Sequence, residues 1–450
     1  MTTTGHSAAA RVRSTSIALA AALALGGAAR AADVAAPRLA FPGALGAAGT
    51  TPGGRGGAIL RVTTLAASGP GSLRAAVEAE GARTIVFEVG GVIDLARTEL
   101  VVANPRITIA GQTAPAPGIT LIRGGMVVRT HDVVIRHLRI RPGTAGVAKR
   151  GGVDFDALTT QSGAHDVIVD HCSLTWATDE NLSASGPRFE GDTPDAWRRR
   201  MSNRITFSSN LIAEGLAHAT HAKGEHSKGS LIHDNADEIL IVGNLYAHNY
   251  ERNPLFKGGA RGYVVNNLIY DPGPRALHYN LVAEEWAGRP YQRGRMVVVG
   301  NVLRAGPSTP REIAFFMFGG SGDVELHLSD NLAVDRLGNA LPELGRYTTT
   351  RAVVVPLGPA KLPPGVVPLG SADVQDAVIR DVGARPWNRD EIDRRVVANV
   401  IEGRGAIIDH EDEVGGYPTH AETRQAFDPA AWDLDTMTPH AAPIPDPPPR

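Results

Sequence analysis

Cysteine occurs once in the 450 residues, at Cys172, so no disulfide can form within the chain and the fold must be held by packing. Neither sign of charge dominates. Lysine and arginine total 45 against 47 acidic residues, a formal net charge of −2, which excludes a nucleic-acid binder working through a uniformly basic surface. Aromatic residues make up only 5%, and helical periodicity is scarce. After residue 31 no apolar run reaches the roughly 20 residues that a membrane-spanning helix requires. Neither a nucleic acid nor a membrane is expected as a partner.

The one conspicuous apolar stretch, Ile17 to Leu25, follows Arg11 and Arg13 and is too short to cross a bilayer. With the small-residue site Ala29-Arg30-Ala31 behind it, residues 1–31 are expected to be a secretory signal peptide. The expected location is outside the cytoplasm, extracellular or periplasmic.

What the chain does have is turn formers, 51 glycines and 31 prolines, between short β-branched runs. These runs repeat: TIVFEV, RITIAG, DVVIRHLRI, DVIVDHCSL, RITFSSNLI, EILIVGNLY, GYVVNNLIY, MVVVGNVLR and VELHLSDNLA. The matching apolar positions are Phe87, Ile109, Ile135, Val169, Phe207, Ile241, Val264, Val298 and Leu328, spaced by 22 to 38 residues. The smallest spacing fits three short strands and their turns, and larger ones need only inserted loops. The expected fold is all-β, a right-handed parallel β-helix. Three residues after the marker stand Asn210, Asn244, Asn267, Asn301 and Asn331, predicted to hydrogen-bond along the stack as a ladder. Cys172 shares that phase and reads as a buried filler.

The ends depart from the rhythm. Ser72 to Glu78 reads as a short capping helix with Leu73, Ala76 and Val77 on one face. Gly-Pro-rich sequence from Leu357 to Leu369 interrupts the strands, and Asn388 to Ile407 is predicted helical, a lid over the last coil. One domain is expected over 38–425, with a proline-rich, disordered tail over 426–450.

Five fragments, FPGALGAAGTTPGGRGG, SGPGSLRAAV, ITIAGQTAP, VIVDHCSLTWATDE and ERNPLFKGG, resemble pectate lyase family sequence over most of residues 41–335. GARPWNRD and IIDHEDEVGGYP resemble it more weakly. The resemblance implies a right-handed parallel β-helix, Ca²⁺, and β-elimination of a polyuronate. Such chemistry needs a base for the C5 proton, neutralisation of the adjoining carboxylate, and cations that grip the other carboxylates of the polymer.

Asp154 and Asp156 lie two apart on a predicted strand and so share a face, and Asp179 follows one coil later; clustered carboxylates suit Ca²⁺. Where the family usually carries a further acid, four residues after the position of Asp179, this chain has Ser183, which leaves a weaker calcium site or one completed by Glu180 or by substrate oxygens. Arg252, two residues before Pro254, matches the family's proposed base; a guanidinium normally stays protonated, so its other role is to stabilise the enolate-like transition state. Lys228 matches the family's substrate-binding lysine, and Lys257 stands where the family commonly has arginine; both are expected to bind uronate carboxylates, Lys257 with a point charge rather than a fork.

His218, His221, His226 and His233 cluster in a predicted loop, where substrate hydrogen bonding and loop packing outweigh metal binding. His171 resembles a position the family keeps near its calcium region. Trp176 either stacks on a sugar or fills a coil corner. The expected function is calcium-dependent cleavage of de-esterified polygalacturonate by a monomer. A lyase for another polyuronate such as alginate and a non-catalytic carbohydrate-binding β-helix are the alternatives, and a glycoside hydrolase fits less well because it needs a positioned carboxylate pair.

Overall fold

The computed structural model describes residues 38–359 and 361–441. The expected signal peptide, 1–31, and the last part of the expected tail, 442–450, lie outside the described residues. Each β-branched run forms a strand, and successive coils lay their strands into three sheets of 11, 10 and 9 strands. Coil-to-coil pairing is parallel, since every coil advances the chain in the same direction. This is the right-handed parallel β-helix that the repeat predicts.

The markers from Ile109 to Leu328 pair one to the next in the 11-stranded sheet. The first copy is corrected: Ile85, not Phe87, pairs with Ile109. Both side chains are fully buried, and because strand faces alternate with period two, an apolar pattern does not distinguish registers two residues apart.

Inside the coils the asparagines stack as expected. The Nδ2 of Asn210, Asn244, Asn267 and Asn301 donates to the Oδ1 of the next ladder residue at 2.9–3.0 Å, ending on Asn331. Each of those Oδ1 atoms also accepts the backbone N–H of the preceding ladder residue, so a turn that would otherwise bury unpaired amides is satisfied. Cys172 is buried at the head of the ladder, its N–H donating to Asn210 Oδ1, and burial pushes its thiol up to about 12. A second, shorter ladder of Asn181, Asn249 and Asn253 stands beside the 9-stranded sheet.

The capping helix is Leu73–Glu78, with Ser72 accepting the Ala75 N–H. The C-terminal helices lie elsewhere than expected. Glu391–Glu402 forms, together with Ser371–Asp381, but their valines cover Leu211, Ala213, Leu245 and Ala247 on the flank of the 10-stranded sheet rather than the last coil. Two buried arginines fix this docking: Arg141 contacts Asp390 at 2.6 Å and Asp393 at 2.7 Å, and Arg139 lies 3.3–3.4 Å from both.

Residues 426–441 are likewise corrected from tail to docked structure. Thr423–Arg424 pairs antiparallel with Val89–Asp94, and Phe427 and Met437 bury against Val86 and Ala110. The reason is that these residues include apolar anchors, while the prolines concentrate after 442. Among the described residues no helix is long and apolar enough to cross a membrane.

Candidate active site

The outer face of the 9-stranded sheet carries the charged residues that the motifs single out. Counting back from the paired strands, Asp156 precedes Leu158–Thr160 as Glu180 precedes Leu182–Ala184, and Glu180 bridges to Lys228. Leu231 pairs with Leu255, which puts Arg252 in the same file as Lys228. The file therefore reads Asp156, Glu180, Lys228, Arg252 on successive coils, acids first and cations after, with neighbouring coils about 4.8 Å apart. A single cavity of about 350 Å³ takes in Asp156, Asp179, Glu180, Arg252 and Lys257, with Lys223, His226, His233 and Glu285 on its wall.

Asp156, Asp179 and Glu180 bring carboxylate oxygens within 4.8 Å of one another. Asp156 Oδ1 accepts the Glu180 N–H at 2.8 Å, which locks the two coils together at this point. Burial, and then the charges of Asp179 and Glu180, push the Asp156 carboxyl well above its usual range. Burial likewise raises Glu180, to about 7, with Arg252 opposing and Asp179 adding to the rise. These are the marks of negative charge gathered with too little compensation. The donor set is hard oxygen only, which fits Ca²⁺ better than a softer metal.

Asp154 does not join this group. Its side chain is 55% exposed and faces His221 Nε2 at 3.5 Å. The strand begins only at Leu158, so the two-residue alternation that would have aligned Asp154 with Asp156 does not extend to them. Ser183 sits within the strand Leu182–Ala184, buried, and is not on the cavity wall. Glu180, one residue after Asp179, takes the third acidic place. Its signal lay in the sequence as the matched spacing of Asp156 to Leu158 and Glu180 to Leu182.

Arg252 Nη1 contacts Glu180 Oε1, and the residue adopts a left-handed backbone with φ of 62°, uncommon for a side chain of this size. Burial alone would lower its pKa, but Glu180, Glu251 and Asp179 outweigh that and hold it above its ordinary value. Lys228 is placed in the file, yet only 2% exposed. Its Nζ lies 3.0 Å from Glu225, 3.2 Å from Glu251 and 4.4 Å from the centre of the Tyr250 ring, turned away from the cavity. Substrate does not meet its ammonium directly in this arrangement, because neighbouring carboxylates already surround it. Lys257 does line the cavity, paired with Glu285 and 3.6 Å from Asp234.

The histidines divide by partner. His226 Nε2 lies 2.9 Å from Asp179 Oδ1 and stacks on His221, and burial lowers it to about 4, so it is neutral at pH 7. His218 contacts Asp409, and His233 contacts Asp234. His171 is remote from the cavity, between Asp170 and Asp381 on another corner of the coil. Trp176 is a corner filler: fully buried, its indole N–H donates to Glu214 at 3.0 Å. Sequence reasoning missed Arg188, Glu225, Glu251 and Glu285, which come from loops or adjoin the expected residues without a repeating position.

No family model matches the chain. A protein of Neosartorya fischeri named "Probable pectate lyase C" is 32% identical over 385 residues, 84% of this chain and 81% of the relative. One of the same name from Aspergillus terreus is 36% identical over 272 residues, 60% of this chain, and that match spans 55% of the relative's length. Among solved structures, the cedar pollen allergen jun a 1 superposes with a TM-score of 0.50 at 17% identity, covering 76% of this chain and 92% of that one, a likeness of fold. On the strength of these relatives, the chain belongs to the pectate lyase family.

Proposed function

We propose that this groove cleaves de-esterified pectin, a polygalacturonate, by calcium-dependent β-elimination, and that the protein does so after secretion. The observation that carries the reading is the meeting of Asp156, Asp179, Glu180 and Arg252 in one cavity, where acids that bind a cation adjoin a cation that binds an acid. Elimination passes the C5 proton to hydroxide or another external base, breaks the bond between C4 and the glycosidic oxygen, which takes up a proton from solvent, and forms the C4–C5 double bond with no net addition of water. Asp156, Asp179 and Glu180 would hold Ca²⁺, which would supply positive charge to uronate carboxylates.

Arg252 is a protonated guanidinium beside Glu180, aimed into the same cavity. In that state it pairs with the carboxylate next to C5 and stabilises the charge that spreads onto it as the proton departs. Arg252 serves as the base itself only if the carboxylates that keep it protonated are compensated first, since they are the cause of its raised pKa. Lys257 stands next along the groove, already paired with Glu285 and 3.6 Å from Asp234. Lys228 acts from behind, holding Glu251 and Glu225 so that the file keeps its order.

The test is to incubate the mature protein with polygalacturonate, alginate and highly esterified pectin, with calcium and then with chelator, and follow the absorbance of the conjugated double bond. Rapid product from polygalacturonate, lost with chelator, is expected. Product from alginate alone moves the substrate to another polyuronate, and no unsaturated product from any of the three leaves a binding protein in place of a lyase.

A further inference from the structure

At the Lys257 end of the groove two cations are already matched by two carboxylates. The Lys257 ammonium contacts Glu285 and lies 3.6 Å from Asp234. Arg188 reaches the same pair, with Nη1 2.5 Å from Glu285 Oε2 and 3.5 Å from Asp234 Oδ2. The two carboxylates differ in access. Asp234 is fully buried, accepting the Trp286 indole N–H at 2.8 Å with His233 Nδ1 at 2.8 Å on its other oxygen. Glu285 stands at the rim, 36% exposed by side chain, on the cavity wall with Lys257 and Arg252.

Glu285 is also held in place. It belongs to the four-residue helix Ala283–Trp286, and Trp286 packs edge-on against Phe189 and Trp197. Burial would raise the Glu285 carboxyl, but contact with Lys257 outweighs it and keeps the group ionised. Burial opposes ionisation of Asp234 too, yet His233 and Lys257 bring it down to about 2.

We propose that Glu285 is a specificity-determining residue: its carboxylate occupies the face of Arg188 and Lys257 that a uronate carboxylate would take, which leaves the subsite charge-balanced and open to a methyl-esterified uronate. The inference rests on the reading of the groove as a polyuronate site. A free carboxylate arriving here meets no net positive charge and a resident anion, whereas an ester brings no charge to repel. Selection for the free acid is thereby confined to the Arg252 end.

The experiment compares kcat/KM on polygalacturonate and on highly esterified pectin, at fixed calcium, for the wild type, Glu285→Gln and Arg188→Gln. Gln keeps an acceptor for Lys257 and removes the charge, so Glu285→Gln should raise the ratio of polygalacturonate to esterified pectin by roughly two- to five-fold, the span of a partly exposed ion pair. Its KM for polygalacturonate should also become more salt-sensitive. Arg188→Gln removes a cation and should lower the same ratio. A ratio that stays at the wild-type value, or moves the other way, overturns the proposal; if Glu285→Gln does not fold, Arg188→Gln decides alone by the same criterion. A wild type that makes no unsaturated product on either substrate refutes the lyase reading instead.

Discussion

The three clustered carboxylates make a prediction about stability that does not depend on turnover. Glu180 is raised from 4.5 to about 7, which at about 1.4 kcal/mol per unit of pKa corresponds to a cost on the order of 3 kcal/mol when the group is ionised in the fold. The sign follows from the direction. A carboxyl whose folded pKa exceeds its unfolded one favours the fold while protonated, so its contribution is complete below about pH 4.5 and is lost as pH rises through about 7. Asp156 is shifted in the same direction and adds to the loss. Calcium-free protein should therefore lose stability between pH 5 and 8, by a few degrees in Tm for a chain of this size. Saturating calcium should restore those degrees at pH 8 and do little at pH 5, where Asp156 and Glu180 hold protons. Asp156→Asn, which keeps the acceptor for the Glu180 N–H, should stabilise the calcium-free protein at pH 8 while weakening calcium binding. Thermal unfolding by circular dichroism over this pH range, with chelator and with calcium, reads all three. An equal gain from calcium at pH 5 and pH 8, or an Asp156→Asn protein less stable than the wild type at pH 8 without calcium, would refute the reasoning.

Arg252→Ala should reduce turnover by roughly 10²- to 10³-fold, the usual loss when a group stabilising transition-state charge is removed. Because Arg252 also compensates Glu180, the variant should unfold at a lower temperature than the wild type at pH 8 in chelator and recover in calcium; unchanged unfolding in chelator would show that the pair contributes nothing. Arg141→Met should cost about 3–5 kcal/mol in chemical denaturation, since it leaves the two buried carboxylates of Asp390 and Asp393 to share Arg139, with one negative charge uncompensated. A loss under about 1 kcal/mol, the range of exposed pairs, would place that docking on the valines alone.

The sequence by itself determined the coil. Alternating apolar residues bury one face of each strand, and an asparagine ladder works only if the same amide recurs at the same turn, so both leave a period that is visible without a structure. Asp156 and Asp179 could be named as carboxylates one coil apart, and Arg252 by the resemblance of its motif to the family's. Tertiary structure alone decided what each charge faces. Asp154 lies before its strand begins and turns to His221; Lys228 is claimed by Glu225, Glu251 and Tyr250; Arg188 from a loop and Glu285 from the short helix Ala283–Trp286 of another coil meet at Lys257. Periodicity fixes which coil a residue belongs to, because backbone hydrogen bonds repeat from coil to coil. It carries no information about where a long side chain ends, which depends on neighbours that loops of irregular length bring within a few ångströms.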